Sequence, residues 1–158
     1  MPASRTRSPL AAPSDRPGWT GTAVSAVAGP DDVVLRVGGS PENVRTARLV
    51  AAAVARREGL PEDRVDEVRI AVGEAVTWAM NTVTDHVVEL VLGPGQDGTG
   101  AFVVRVAGGL TSEDAVSPGG GDPGSTDGLA LALLRGLADE VEIDGDATVL
   151  TWGDTVPT

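Results

Sequence analysis

The chain has no cysteine, no lysine and no tyrosine, and only one histidine and one phenylalanine. Each gap removes a class of chemistry. Without cysteine there is no disulfide, no thiol nucleophile and no cysteine metal site. All 12 basic side chains are arginine, which excludes a Gly-Lys-Ser/Thr phosphate loop, the strand lysine of ordinary protein kinases and a Schiff-base lysine. The lone His86 begins a β-like run with no partner pattern around it. It reads as a strand-end residue, and histidine-dependent hydrolysis has no support. Aromatic residues make up 3% of the chain, so the core must be built from Val, Leu and Ala. No segment is long and apolar enough to span a bilayer. Met1 to Pro30 carries Arg5 and Arg7 but lacks the continuous apolar stretch of a secretory signal.

What is present fits one domain. A chain of 158 residues with 41% hydrophobic content has room for a real core. The formal net charge of -11 sets up a field that repels nucleic acid and anionic membranes, so neither is expected as a partner. The expectation is a cytoplasmic protein with a disordered leader over 1–30, rich in Pro, Ser, Ala, Gly and Thr, a domain over 31–153 and a short tail over 154–158. There is no internal repeat.

Val33 to Val37 reads as a strand, and Gly38-Gly39 turns the chain into Ser40-Pro41, an N-cap followed by Pro at the first helical position. The helix that follows runs to Arg57 or Glu58, with Gly59 as its stop. Its expected buried stripe is Val44, Ala47, Val50, Ala51, Val54 and Ala55. The opposite stripe is Arg45, Leu49, Ala52 and Arg56, with Arg48 beside it. A mixed Arg and Leu face on so acidic a chain is a candidate docking surface, against the plainer reading of a solvated helix back. A second helix opens at Leu60-Pro61-Glu62-Asp63 and keeps helical spacing through Val65, Val68, Val72, Ala75, Val76, Ala79 and Val83, roughly twenty residues. His86 to Leu92 and Ala101 to Val106 form a hairpin joined by a Gly-rich turn from Gly93 to Gly98. A lid-like loop of Gly, Pro, Ser and Asp fills 107–127. A third helix from Gly128 to Leu137 and the strands Glu140 to Ile143 and Thr148 to Trp152 complete the chain. The order β-α-α-β-β-loop-α-β-β implies an α+β two-layer sandwich: one mixed sheet with helices on one face.

Glu74 stands in the second helix among Ala and Val, in Arg69-Ile70-Ala71-Val72-Gly73-Glu74-Ala75-Val76-Thr77-Trp78-Ala79-Met80-Asn81. Trp78 lies one turn further along the same face, and Asn81 a turn beyond. A carboxylate in such company is paired, shifted in pKa or exposed in a cleft, because burying it bare is costly. This helix reads as the floor of a site, or as what remains of one.

Three segments carry a resemblance: Pro41 to Arg48, Val65 to Thr77, and Leu131 to Val141. Together with the element order, they resemble the GHKL-type ATPase domain, and within it the anti-sigma-factor serine kinases of bacteria, over Val33 to Gly153. In that family an N-box Glu acts as base or orients water, and an Asn one turn later holds Mg²⁺. An Asp after the hairpin strand reads adenine, and lid glycines approach the phosphates. Glu74 matches the Glu, so the resemblance makes it the catalytic residue if the chain is active. Trp78 stands at the Asn position, and an indole cannot coordinate Mg²⁺. Asn81 faces similarly but lies about 4.5 Å farther along the axis at 1.5 Å per residue. The adenine-reading position holds Gly108, or Ala107 in a slipped register. The Gly-x-Gly behind the lid has become Gly128-Leu129-Ala130, and the late Gly-Thr has become Asp146-Ala147.

The leading expectation is therefore a degenerate anti-sigma-like regulator, a pseudo-enzyme that binds ATP weakly or not at all, with no cofactor and no metal. It would control transcription by sequestering a sigma factor. Arg48 falls on the family's Ala-Arg position, and Arg45, Arg48, Leu49 and Arg56 are the expected contacts to a sigma factor or an anti-anti-sigma protein. The alternative is an active Mg-ATP-dependent serine protein kinase acting on an anti-anti-sigma antagonist. In it Glu74 is catalytic, and Asn81 and Gly128 help bind the nucleotide. A homodimer with Leu49 or Trp152 at its contact is a third possibility.

Overall fold

The computed structural model describes residues 28–82, 87–96, 98–107, 126–144 and 147–153. The expected leader up to residue 27, most of the lid-like loop, the tail from residue 154, His86, Gly108 and Asp146 lie outside the described residues.

Local signals set the first elements. Strand β1 (Val33–Gly38) leads through Ser40, in extended backbone, to helix α1 (Pro41–Arg57). Pro41 opens the helix where its missing N–H is no loss. Asn43 clamps the turn, its Nδ2 donating to the Gly38 carbonyl at 2.8 Å. At the far end Gly59 takes φ 89°, a conformation that glycine adopts without strain. The Leu60 N–H then donates to the Ala55 carbonyl at 3.1 Å, closing a Schellman motif that turns Leu60 onto the core. Helix α2 (Glu62–Thr82) follows, with Glu62 and Asp63 in its first turn, where the helix dipole favours acids.

The hairpin is β2 (Val87–Pro94) and β3 (Phe102–Ala107), followed by α3 (Thr126–Leu137), β4 (Glu140–Asp144) and β5 (Ala147–Trp152). Two strand and helix boundaries shift by two residues from the sequence reading, and others by one. Helix α3 begins at Thr126 rather than Gly128. Gly93 and Pro94, expected in the turn, extend β2 and pair with Val103 and Phe102. The reason at Gly93 is a close approach: a Cβ there would overlap the Asp32 carboxylate and come within 3.0 Å of the Asp32 Cα.

The sheet has the order β1-β2-β3-β5-β4, and every neighbouring pair is antiparallel. The expectation of a mixed sheet is thus corrected. Strand β4 takes the edge and β5 turns back between it and β3, so each strand opposes its neighbour. The two-layer α+β plan itself is as expected. Cross-strand rows such as Leu35, Leu90, Val106 and Thr148, and Leu92, Val104 and Leu150, form the inner face. Against it pack Ala47, Ala51 and Ala55 of α1 and Val65, Val68, Val72, Ala75, Val76 and Ala79 of α2.

Two expectations fail on burial. Ala52, assigned to the outer stripe of α1, is 3% exposed and belongs to the core. Alanine suits both flanks of this helix, because α1 packs on α2 as well as on the sheet. Trp152, offered as a dimer contact, is fully buried. Its indole Nε1 donates to the Leu137 carbonyl at 3.0 Å, and its ring lies 6.0 Å from that of Phe102. Among the described residues no helix is long and apolar enough to cross a membrane.

One ionic clasp joins the ends of the fold. Arg64 of α2 donates to both oxygens of Asp139 at 2.8 and 2.6 Å and to Glu67 at 2.8 Å, while the Gly153 N–H donates to Asp139 at 2.8 Å. The hydrogen bond from Arg64, then the one from Gly153, holds the Asp139 carboxyl below the usual carboxylate range against its partial desolvation.

Candidate functional site

The residues singled out in the sequence fall into two regions. The first is the C-terminal half of α2. Glu74 is half-buried there, Trp78 is only 6% exposed, and Asn81 is exposed in the last turn of the helix. Glu74 and Trp78 share a face, as the spacing of four predicts. Asn81 does not share Trp78's burial, so the two positions sit in different surroundings. Trp78 is not a member of the main core cluster among the described residues, although it is as buried as many that are. Gly128 is half-buried in the first turn of α3.

At Trp78, Ala107 and Ala147 this end offers no side-chain oxygen to a metal ion or to an adenine amino group. An indole offers one N–H donor and no lone pair for a metal. Ala107, the position reached only in the slipped register, is 2% exposed at the end of β3 and has no side-chain acceptor for an adenine amino group. Ala147 is likewise buried and apolar. Among the described residues there is no group of three or more His, Asp or Glu able to hold a metal ion. One polar atom stands out that the sequence reading passed over. Thr148, next to Ala147, is 1% exposed, and its Oγ1 has no hydrogen-bond partner among the described residues. A hydroxyl in an otherwise Val and Leu inner row was the available signal.

The second region is the outer side of the α1–α2 pair. Arg45, Arg48 and Leu49 are exposed on α1, Leu49 at 59%. Arg48 shares with Asp66, Arg69 and Ile70 of α2 an open groove of about 300 Å³. Ile70 is 47% exposed at its wall. The sequence reading did not single out Arg69 and Ile70 for this surface. Their signal was an Arg-Ile pair off the core stripe of α2, visible only once α1 is known to lie alongside. Asp66 accepts a hydrogen bond from Arg69 at 3.2 Å, which leaves the groove basic overall on an acidic protein. Arg56 is placed differently from the other expected contacts. Its Nε and its terminal nitrogen bond Glu62 at 2.7 and 3.0 Å, and that hydrogen bond holds the Glu62 carboxyl below its ordinary range. It ties α1 to the start of α2.

Arg48 does more than line the groove. A Cβ on Gly73 would overlap its guanidinium, so the side chain lies directly against the α2 backbone. The Gly73 carbonyl also accepts the Thr77 hydroxyl at 2.7 Å.

Comparison with known proteins places these elements. Residues 38–152 match the family model described as "Histidine kinase-like ATPase domain". A stretch of 51 residues is 37% identical to the serine-protein kinase RsbW of Oceanobacillus iheyensis. That stretch covers 32% of this chain and 32% of the relative, so the match spans about a third of the relative's length.

Proposed function

Because the chain belongs to the histidine kinase-like ATPase domain family, we propose that it is an anti-sigma-factor-like regulator in a bacterial partner-switching system. It sequesters a sigma factor through the outer face of α1, exchanges it for an anti-anti-sigma protein, and binds ATP weakly or not at all. The observation that carries this reading is the exposed face of Arg45, Arg48 and Leu49, continued on α2 by Arg69 and Ile70. A planar guanidinium makes bidentate contacts with carboxylates, and adjacent exposed apolar side chains supply area to bury. The surface suits an acidic segment that also carries apolar side chains. The burial of Trp78 and the lack of a side-chain acceptor at Ala107 support the weak-nucleotide half of the reading.

The test is a titration of the purified chain with each sigma factor and anti-anti-sigma protein of the source bacterium. At least one is expected to bind, and Arg48→Glu is expected to abolish that binding without unfolding the domain. A variant that binds as well as the parent would overturn the assignment.

The retained, half-buried Glu74 and the similarity to a chain named a serine-protein kinase favour a second reading. In it the protein phosphorylates an antagonist with Mg-ATP, and Glu74 orients or deprotonates the serine hydroxyl. Calorimetric titration with Mg-ATP separates the two. No heat is expected at micromolar nucleotide, whereas saturable micromolar binding would establish the kinase reading in place of the first.

A further inference from the structure

We propose that Gly73 is a positioning residue for partner binding, acting through Arg48; this rests on the reading of the α1 face given above. Gly73 lies in the interior of α2 between Val72 and Glu74, where alanine would favour the helix. It is not among the glycines with positive φ, so its backbone does not require glycine. Space is what requires it. A Cβ on Gly73 would overlap the Arg48 Nε and come within 2.6 and 2.7 Å of a terminal nitrogen and Cζ. These atoms are the far end of a flexible side chain, so a methyl group would move the guanidinium rather than break the helix.

With glycine in place, Arg48 reaches from α1 onto the α2 backbone, in the groove walled by Asp66, Arg69 and Ile70. An arginine free in solvent would have to be ordered when a partner arrives, and that ordering weakens binding. Seated against Gly73, its fork is already held beside Ile70, next to the second cation at Arg69. The ligand it reads is a protein segment that brings a carboxylate to Arg48 and an apolar side chain to Ile70 and Leu49. Because the Gly73 carbonyl is already taken by Thr77, the seat is a matter of shape and does not depend on a hydrogen bond to that oxygen.

The test is a double-mutant cycle read by titration with the purified sigma factor or anti-anti-sigma protein that binds the parent chain. Gly73→Ala and Arg48→Ala are each expected to weaken binding by about tenfold or more, a decade being the unit in which such a cycle is read. The double variant is expected to bind no more weakly than Arg48→Ala alone, because Gly73 acts only through that side chain. Gly73→Ala is also expected to melt no lower than the parent. If Arg48→Ala weakens binding and Gly73→Ala does not, the seat is wrong while the docking surface stands. Additive losses would likewise overturn the seat. If Arg48→Ala binds like the parent, or the parent binds none of these proteins, both readings fall. Without any partner, NMR relaxation of the Arg48 Nε–H is expected to show an ordered side chain in the parent and a mobile one in Gly73→Ala. Equal mobility in both would overturn the proposal.

Discussion

The two ends of the α2 helix treat their side chains in opposite ways. Around Asp66, Arg69 and Ile70, charged and apolar groups are held out in an open groove shared with Arg48. A few turns on, Trp78 is enclosed and the half-buried Glu74 stands on its face. One helix thus carries an open groove toward one end and a buried indole toward the other. An exposed cation beside an exposed apolar group keeps its binding free energy available to a partner. An indole already buried has spent its own on the fold.

This contrast can be broken most sharply at Trp78. If the ring now serves packing, Trp78→Ala should destabilise the protein by about 3 kcal/mol, the lower end of the range for buried aromatic truncation. Chemical denaturation would measure it, and partner affinity should not change once the variant is folded. A loss of partner binding with unchanged stability would reverse the roles of the two ends. Next comes Arg48→Glu, expected to weaken the partner complex at least about 100-fold, or about 2.7 kcal/mol. Its denaturation midpoint should match the parent's, because Arg48 is exposed.

A smaller effect is expected at Arg64, which ties α2 to Asp139 and belongs to neither region. Arg64→Ala should lower stability by about 1 kcal/mol, since Asp139 is 43% exposed and solvent screens the pair. The same clasp sets a dependence on acid. The folded-state pKa of Asp139 lies below its unfolded value, so its stabilisation is full above that unfolded value. It is lost as the pH falls through the folded pKa, below about pH 4. Thermal melts across that window should fall more steeply for the parent than for Arg64→Ala. Parallel curves would show that the clasp contributes nothing.

Much of the architecture was legible because its signals are local. Ser40-Pro41 and Gly59 bound α1, and alternation revealed the hairpin strands. The features that escaped depend on what lies opposite a residue. Gly93 reads as a turn until Asp32 is seen pressing on it, and Ala52 reads as outward until it is found in the core. Of the candidate site, Glu74, Trp78, Arg45, Arg48 and Leu49 were visible as residue types in helical register. Arg69, Ile70 and the seat at Gly73 were not, since their meaning comes from a neighbouring helix.

By itself the sequence determined the element order, the α+β class and the exclusion of lysine and cysteine chemistry. Each of these follows from residue identity or from spacing along one segment. Only the tertiary structure decided that the sheet is antiparallel throughout, that Trp152 belongs to the core, and that Arg48 rests on Gly73. Those outcomes come from which segments meet in space, and contacts between distant residues leave no period in the chain to read.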